Sequence, residues 1–345
     1  MHSSIISFGQ YIPSKRIKTE EIARQHSKDP APYIKGLGVT EKSVPNQGED
    51  TFTMAVEAGR QALNSVAEDR YLPPLRSSQI SAVFVGSESH PYAVKPTSGM
   101  VASALECHPF CHCADLEFAC KAGTAAMQIV DSMVRSGQIE YGMAIGSDTA
   151  QGKPGDALEY TAAAGAGAII LGPENSKNAI CRIEKTLSFT SDTPDFWRNS
   201  EKKYPEHAGR FTGEPSYFRH TEEALKGILE ITKMEVGDFA HAVFHMPNAK
   251  FPSKIANKFG FTKEQMEHGF IVPKIGNTYS ACSLLGLISV LQKAKKDEKI
   301  LLVSYGSGAG SDAFVFTMLK DGVELPSDER ATEYVDYNEY VRCTS

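Results

Sequence analysis

Cys120 stands where a short apolar stretch gives way to a run of small residues, and a thiol in such a position can act as a nucleophile. The following segment, Lys121 to Gly137, continues with apolar residues at helical spacing. Because a helix N-terminus carries partial positive charge, we expect the pKa of the Cys120 thiol to be lowered. A structural core cysteine is the alternative, since free cysteines are among the most buried residue types.

Three further residues have side chains suited to acyl chemistry. Glu88 follows the apolar stretch that ends at Phe84, and a partly buried carboxylate there can serve as a general base. His245 directly follows Phe244 and can polarise a carbonyl or move a proton. Asn277 can donate its amide to an oxyanion. The alternatives are a solvated loop acid, a core histidine and a turn residue.

The chain contains a weak internal repeat at an offset of 160 residues. The triplet at 82–84 recurs at 242–244, and the pair at 146–147 recurs at 306–307. In both copies apolar strands alternate with a helical stretch that begins with small residues, an order that predicts parallel sheets covered by helices. Chance identity between apolar strands is the alternative. The shared order favours two similar α/β halves packed together.

This duplication predicts a single cleft. Ligands of α/β sheets bind beyond the carboxyl ends of the strands. We therefore expect Glu88, Cys120, His245 and Asn277 to meet where the two halves join. The glycine-rich run 305–312 lacks the lysine of a phosphate-binding loop, so we expect it to supply backbone N–H groups and a close approach to substrate.

Composition excludes several classes of function. The 345 residues include 36 Lys and Arg against 42 Asp and Glu, a net charge of −6 that gives no basic field for nucleic acid. No apolar run reaches membrane-span length, and residues 1–11 lack the pattern of a secretory signal. The seven cysteines are therefore expected to be reduced thiols in a cytoplasmic protein.

Two patterns suggest other chemistry without supporting it. The run from Cys107 to Cys113 holds five potential soft ligands, but a second cluster with zinc-site spacing does not follow, so we expect no metal. The order Cys120, His245, Asn277 is also that of papain-like proteases, whose local cysteine signature is missing here.

Over nearly its whole length, from about Ile5 to Arg342, the chain resembles the archaeal-type hydroxymethylglutaryl-CoA (HMG-CoA) synthases of the thiolase superfamily. The most specific stretches are 36–44, 86–97, 114–124, 145–160, 191–220 and 276–285. The resemblance implies a thiolase-like α/β fold of two similar halves in a layered α-β-α-β-α arrangement. The halves would be residues 1–175, carrying the predicted nucleophile and base, and residues 176–345, carrying His245 and Asn277. The chain departs from the family at Met246 and Ala249, which puts the hydrogen bonding near His245 in question.

The resemblance also implies a role for each site residue. Cys120 would take acetyl from acetyl-CoA, and Glu88 would deprotonate its methyl group and later protonate the new alkoxide. His245 would bind and polarise acetoacetyl-CoA. One oxyanion would be met by Asn277 with His245, and another by the backbone N–H groups of Cys120 and Ser307. Hydrolysis would release HMG-CoA for the mevalonate route.

The remaining implied features concern binding and assembly. The CoA-binding positions would be Ala31, Thr161, Thr212, Lys250, Lys254, Asn277 and Ser307. The segment 192–219, which carries the only tryptophan, would cover the substrate. Cofactors are not expected. A homodimer or dimer of dimers is expected, with an acetoacetyl-CoA thiolase and a DUF35 protein as candidate partners.

Two other functions remain open from the residues. The first is a different condensing enzyme or acyltransferase of the superfamily, such as a β-ketoacyl synthase III-like protein. Those enzymes typically use Cys, His and Asn without a glutamate, so Glu88 weighs against this alternative. The second is a partner-binding subunit of a thiolase/DUF35 complex with weak activity of its own.

Overall fold

The computed structural model describes residues 2–65, 75–149, 152–199, 201–326 and 330–344. Its strands are β1 (Ser3–Tyr11), β2 (Lys15–Lys18), β3 (Glu41–Val44), β4 (Ile80–Gly86), β5 (His112–Leu116), β6 (Tyr141–Asp148), β7 (Gly165–Pro173), β8 (Cys181–Thr190), β9 (Phe196–Trp197), β10 (Glu206–His207), β11 (His241–Phe244), β12 (Lys299–Val303), β13 (Gly310–Met318) and β14 (Glu333–Tyr334). Its α-helices are α1 (Thr19–Gln25), α2 (Ala31–Leu37), α3 (Thr51–Ser65), α4 (Thr97–Ala104), α5 (Ala122–Arg135), α6 (Phe218–Thr232), α7 (Lys250–Phe259), α8 (Lys263–Glu267), α9 (Val272–Ile275), α10 (Cys282–Leu291) and α11 (Tyr337–Thr344).

Nine strands form one mixed sheet in the order β11-β12-β13-β8-β1-β7-β6-β4-β5. In the first half, β4 is parallel to β5 and β6, while β7 is antiparallel to both β6 and β1. The second half repeats this pattern, with β11 parallel to β12 and β13 antiparallel to both β12 and β8. A short antiparallel pairing of β1 with β8 joins the halves at Ser4 and Ile5. The duplication predicted from the sequence is confirmed.

Three layers of helices pack against the two halves of the sheet: one layer between the halves and one on the outer face of each half. Buried side chains of α5 and α10 pack together with strands of both halves and form the central layer. The outer face of the first half is covered by α3 and α4, and that of the second half by α6 and α7. Nine of the ten residues of α10 are buried, as a helix with apolar residues on all faces requires. The layered α-β-α-β-α arrangement is therefore confirmed.

The C-terminal end of the chain returns to the first half. Strand β14 pairs with β2, and Tyr340 of α11 is buried with Ile17 and Val44. The boundary expected at residue 175 falls between the end of β7 and the start of β8. The division of the chain into two domains at that point stays a prediction.

A distinctive turn occurs once in each half. Ala119 and Tyr279 have φ angles of 46° and 50°, left-handed values that are uncommon outside glycine. Each accepts a hydrogen bond at its carbonyl from the N–H three residues later, that of Ala122 or Cys282. Since the two positions differ by the repeat offset, the duplication extends to the turns that precede the two central helices.

None of the helices within the described residues is long and apolar enough to cross a membrane.

Candidate active site

The predicted nucleophile and the predicted base are in direct contact. Glu88 lies two residues past the end of β4, and Cys120 lies two residues before α5 begins. The Cys120 thiol donates a hydrogen bond to Glu88 Oε1 over 2.8 Å. Cys120 is 4% exposed, which makes this a contact shielded from bulk water. The expected meeting of these two strand-end groups is therefore confirmed.

The ionisation of this pair differs from the expectation. Burial, reinforced by the negative charge of Asp148, raises the pKa of Glu88 to about 8, although the bond from Cys120 opposes the rise. Burial and the Glu88 carboxylate also raise the pKa of the Cys120 thiol well above its ordinary value. The prediction of a lowered thiol pKa was wrong, because loss of water and a carboxylate in contact outweigh the partial charge of a helix end.

Asp148 organises the loop that carries Glu88. Its Oδ1 accepts hydrogen bonds from the Glu88 N–H at 2.8 Å and from the hydroxyls of Ser87 and Ser89 at 2.7 and 2.6 Å. Its Oδ2 accepts from the N–H of Ser280 at 2.9 Å. Burial raises the pKa of Asp148, and the hydrogen bonds from Ser87, Ser89 and Ser280 oppose that rise. Sequence reasoning missed Asp148, although a carboxylate ending an apolar strand beside β4 was a usable signal.

His245 is buried without a hydrogen bond to its ring. It is 1% exposed, and neither ring nitrogen has a hydrogen-bond partner among the described residues. The Tyr217 hydroxyl donates to the His245 carbonyl at 2.8 Å, and the ring lies 6.2 Å from that of Tyr305. Burial lowers the pKa of His245 to about 3. Near neutral pH this side chain is therefore a neutral imidazole with one N–H to donate.

Asn277 is held in place by its own backbone. Its N–H donates to Thr161 O at 2.7 Å, and its carbonyl accepts from the N–H of Ala163 at 2.9 Å. Its Oδ1 accepts from the N–H of Tyr279 at 3.0 Å, which leaves the Nδ2 amide as the group available to donate. Tyr279 and Ala162 pack with Cys120, so the backbone hydrogen bonds between Asn277 and residues 161–163 lie beside the nucleophile.

A cavity of about 420 Å³ lies against Glu88. Its walls come from both halves of the chain and include Ser307 and the exposed Trp197. The guanidinium of Arg198 donates to Glu88 O at 2.6 Å, and Phe196 packs against Cys120. Residues 196–198 thus lie beside the thiol and carboxylate, within the segment where the resemblance placed a substrate cover.

The glycine-rich run approaches the nucleophile closely. A Cβ atom on Gly306 would lie 2.6 Å from Phe118 O, so only glycine fits there without a shift. The N–H of Gly308 donates to Asp195 Oδ1 at 2.8 Å, which ties the run to the covering segment. The approach of Gly306 to Phe118 brings the second half of the chain to within two residues of Cys120.

The predicted CoA-binding positions separate into two groups. Thr161 is buried beside Asn277, and Ser307 lines the cavity. The others lie farther out, on elements that touch one another: Ala31 on α2, Lys250 and Lys254 on α7, and Thr212 in the segment that packs on α7. Lys254 forms an ion pair of 3.4 Å with Glu214. The CoA-binding role of all these positions stays a prediction.

The thiols of the run 107–113 lie outside this site. Burial raises the pKa of Cys107 to about 11 and that of Cys111 to about 12, and it also raises the pKa of Cys113. Within the described ranges, no group of three or more His, Cys, Asp or Glu side chains is arranged to hold a metal. These thiols are therefore protonated near neutral pH and are poor nucleophiles.

Comparison with known proteins first defines a class. Residues 114–186 match the model of 3-oxoacyl-[acyl-carrier-protein] synthase III, and residues 229–318 match that of its C-terminal part. A crystal structure of an HMG-CoA synthase complexed with CoA superposes with a TM-score of 0.85 at 24% identity, covering 99% of this chain and 90% of that one. The 3-oxoacyl-(acyl carrier protein) synthase III of Pseudomonas aeruginosa gives 0.80 at 17% identity, covering 93% and 99%. The fold is that of the thiolase-like condensing enzymes.

Closer relatives then specify the family. The hydroxymethylglutaryl-CoA synthase of Archaeoglobus fulgidus is 53% identical over 344 residues, covering 98% of this chain and 97% of the relative. That of Methanocaldococcus jannaschii is 51% identical over 348 residues, covering 99% and 98%. The chain belongs to the hydroxymethylglutaryl-CoA synthase family, and it is an enzyme of acyl transfer.

Proposed function

We propose that this chain condenses an acetyl group carried on Cys120 with acetoacetyl-CoA, and then hydrolyses the product to HMG-CoA. The observation that carries this proposal is the 2.8 Å contact between a buried thiol and a buried carboxylate whose pKa is raised to about 8. A condensing enzyme needs a thiol to hold the acyl group and a base strong enough to remove a proton beside it.

The first step forms the acetyl-enzyme. The Cys120 sulfur attacks the acetyl-CoA carbonyl while its proton passes to Glu88, the carboxylate in contact. CoA leaves as a thiolate and takes up that proton, which restores Glu88 as a base. Backbone N–H groups of Cys120 and Ser307 would donate to the developing oxyanion. The close approach of Gly306 to Phe118 O supports this pairing across the halves.

The second step forms the new carbon–carbon bond. Glu88 removes a proton from the methyl group of acetyl-S-Cys120, and the resulting enolate attacks the C3 carbonyl of acetoacetyl-CoA. The proton on Glu88 then passes to the alkoxide. His245 and Asn277 would donate to that oxygen as neutral groups, in keeping with the lowered pKa of the imidazole and the orientation of the amide.

The third step releases the product. Water adds to the Cys120 thioester, the carbon–sulfur bond breaks, and the acyl group leaves as the free carboxylate of HMG-CoA. All three steps use side chains of this chain, so we propose that the reaction needs no cofactor beyond its CoA thioester substrates. Activity should therefore persist after treatment with a metal chelator.

We propose that CoA crosses the region where α2, α7 and the segment 209–217 meet, and that Lys250 and Lys254 attract its phosphates. These lysines lie four residues apart on one helix, so they share a face. The exposed ion pair of Lys254 with Glu214 would exchange its partner for a phosphate at little cost. Lys250→Ala should raise the KM for acetyl-CoA. Lys263→Ala, the matched control, should leave it unchanged.

The remaining proposals concern assembly and location. We propose a homodimer or dimer of dimers through β5, an edge strand preceded by the exposed side chain of Phe110. Phe110→Glu should then yield monomers by light scattering. We further propose a complex with a thiolase and a DUF35 protein, and a cytoplasmic location.

The test is production of HMG-CoA by the purified chain from acetyl-CoA and acetoacetyl-CoA. Product from the wild type, lost in Glu88→Ala and retained in Glu117→Ala, supports the proposal, because Glu117 is an exposed carboxylate on the same cavity. Acetylation without HMG-CoA would indicate another acceptor. Activity that appears only on adding thiolase and DUF35 protein would indicate a partner-dependent subunit.

A further inference from the structure

Lys42 carries a buried amine that the steps above do not use. It lies on β3 and is 1% exposed. Its ammonium donates to Ala162 O at 2.8 Å and to the Tyr340 hydroxyl at 3.1 Å, and it lies 4.6 Å from the centre of the Tyr340 ring. Among the described residues, no carboxylate lies within ion-pair distance of it. Burial lowers its pKa to about 7.

The carboxylate that acts electrostatically on Lys42, that of Glu159, already accepts hydrogen bonds from other donors. Glu159 favours the charged form of Lys42 electrostatically. Its Oε2 accepts from His26 Nε2 at 2.8 Å and from the N–H of Gly155 at 2.7 Å, and its Oε1 accepts from the Tyr337 hydroxyl at 2.7 Å. Burying an amine without a carboxylate partner costs folding free energy. We therefore look for a role of the Lys42–Ala162 hydrogen bond other than stabilising the fold.

Ala162 connects Lys42 to the reaction centre. Its side chain packs with Cys120 and Tyr279. The residues on either side of it hold Asn277, since Thr161 O accepts from the Asn277 N–H and the Ala163 N–H donates to the Asn277 carbonyl. The ammonium therefore fixes one carbonyl of the backbone segment whose neighbouring groups orient the amide.

Strand β3 supports this segment along its length. The Ser43 hydroxyl donates to Ala164 O and, at 3.2 Å, to Ile275 O. A Cβ atom on Gly276 would lie 2.8 Å from the Cβ of Lys42, so the backbone before Asn277 rests directly against β3. A shift of Lys42 would be transmitted to Asn277 from both sides.

We propose that Lys42 is a positioning residue for the condensation step, acting through the Ala162 carbonyl to hold the Asn277 amide against the reacting oxygen. This inference rests on the proposed function in one respect, the oxyanion role of Asn277. A small misplacement of such a donor can reduce turnover by about 10²-fold.

The experiment is a double-mutant cycle on steady-state HMG-CoA formation, using wild type, Lys42→Met, Asn277→Ala and the double variant. Lys42→Met should lower kcat by about 10²-fold and leave the KM for acetyl-CoA within about 2-fold. The double variant should be no slower than Asn277→Ala alone, because both changes remove the same interaction, that of the Asn277 amide with the reacting oxygen. Multiplied losses, or wild-type kcat in Lys42→Met, would overturn the proposal.

The matched control is Tyr340→Phe, which removes the other hydrogen-bond partner of the ammonium and keeps its bond to Ala162. It should retain kcat within about 2-fold, whereas a purely structural role predicts equal losses in both variants. If Lys42→Met does not fold, Lys42→Gln takes its place, since the shorter amide also leaves the Ala162 carbonyl without its donor. The same assay measures HMG-CoA formation by the wild type. If the wild type forms no HMG-CoA, the proposed function itself is contradicted. If only the variants depart from expectation, the inference about Lys42 is contradicted.

Discussion

The two halves of the molecule share one architecture but differ in the chemistry at their strand ends. In the first half these ends carry Glu88, Cys120 and Asp148, all with pKa values raised by burial. In the second half the residue after β11 is His245, whose pKa is lowered to about 3, and the neutral Asn277 lies between α9 and α10. At the repeat offset Cys120 corresponds to Ser280, and both follow a left-handed residue.

This difference separates two tasks. Loss of water disfavours charge in both halves, but a carboxylic acid with a pKa near 8 still exchanges protons in the working range, whereas an imidazole with a pKa near 3 does not become charged. We therefore expect the first half to carry out proton transfer and the second half to contribute fixed dipoles. The two halves meet at the cavity beside Glu88, where Ser307 of the second half forms part of the wall.

Replacing the nucleophile gives the largest expected effect. Cys120→Ala should abolish the acetyl-enzyme and lower HMG-CoA formation by about 10⁴-fold or more, because no other group can carry the acyl chain. Intact mass and a steady-state assay measure the two effects. The control is Cys107→Ala, a half-buried thiol outside the site, and equal losses in both variants would contradict a unique role for Cys120.

Removing the base should be the next largest change. Glu88→Ala should reduce HMG-CoA formation by about 10³-fold, within the range typical of general-base catalysis. Glu117→Ala, which removes an exposed carboxylate from the same cavity, should leave turnover within about 2-fold of wild type. If both variants lost activity alike, the charge of the cavity and not proton transfer by Glu88 would explain the result.

A change in the second half should lower the rate without moving its pH dependence. His245→Ala should cost about 10²-fold in kcat, the scale of one lost oxyanion donor. The midpoint of the pH profile should stay where it is, since the imidazole is neutral throughout that range. His241→Ala, at the start of the strand that precedes His245, is the matched control. A shifted midpoint in His245→Ala would contradict the division between the halves.

The smallest expected effect is a shift of that midpoint. Glu88 must be ionised to accept a proton, so the condensation rate should rise with pH and level off above about 8. The negative charge of Asp148 contributes to the raised pKa of Glu88, so Asp148→Asn should move the midpoint to lower pH. A midpoint that stays fixed or rises in this variant would show that another group controls the profile.

The sequence predicted the duplicated fold because apolar strands, small-residue helix starts and the offset of 160 are local patterns. It predicted that Glu88 and Cys120 lie close together, because both follow strands whose carboxyl ends lie at the same edge of the sheet. It predicted the wrong direction for the thiol pKa, because burial, the largest cause of the rise, and contact with a carboxylate 32 residues away both arise only in the folded chain. Asp148 and Lys42 were missed for the same reason, since their importance lies in contacts with distant backbone.

The most direct test of the account is to follow Glu88→Ala by intact mass, first with acetyl-CoA and then with acetoacetyl-CoA. Loss of the carboxylate removes a base but also lowers the thiol pKa, so acetylation of Cys120 should survive. The enolate has no replacement base, so the acetyl group should remain on the enzyme after acetoacetyl-CoA is added. Turnover of that acetyl group into HMG-CoA at the wild-type rate would contradict the assignment of proton transfer to Glu88.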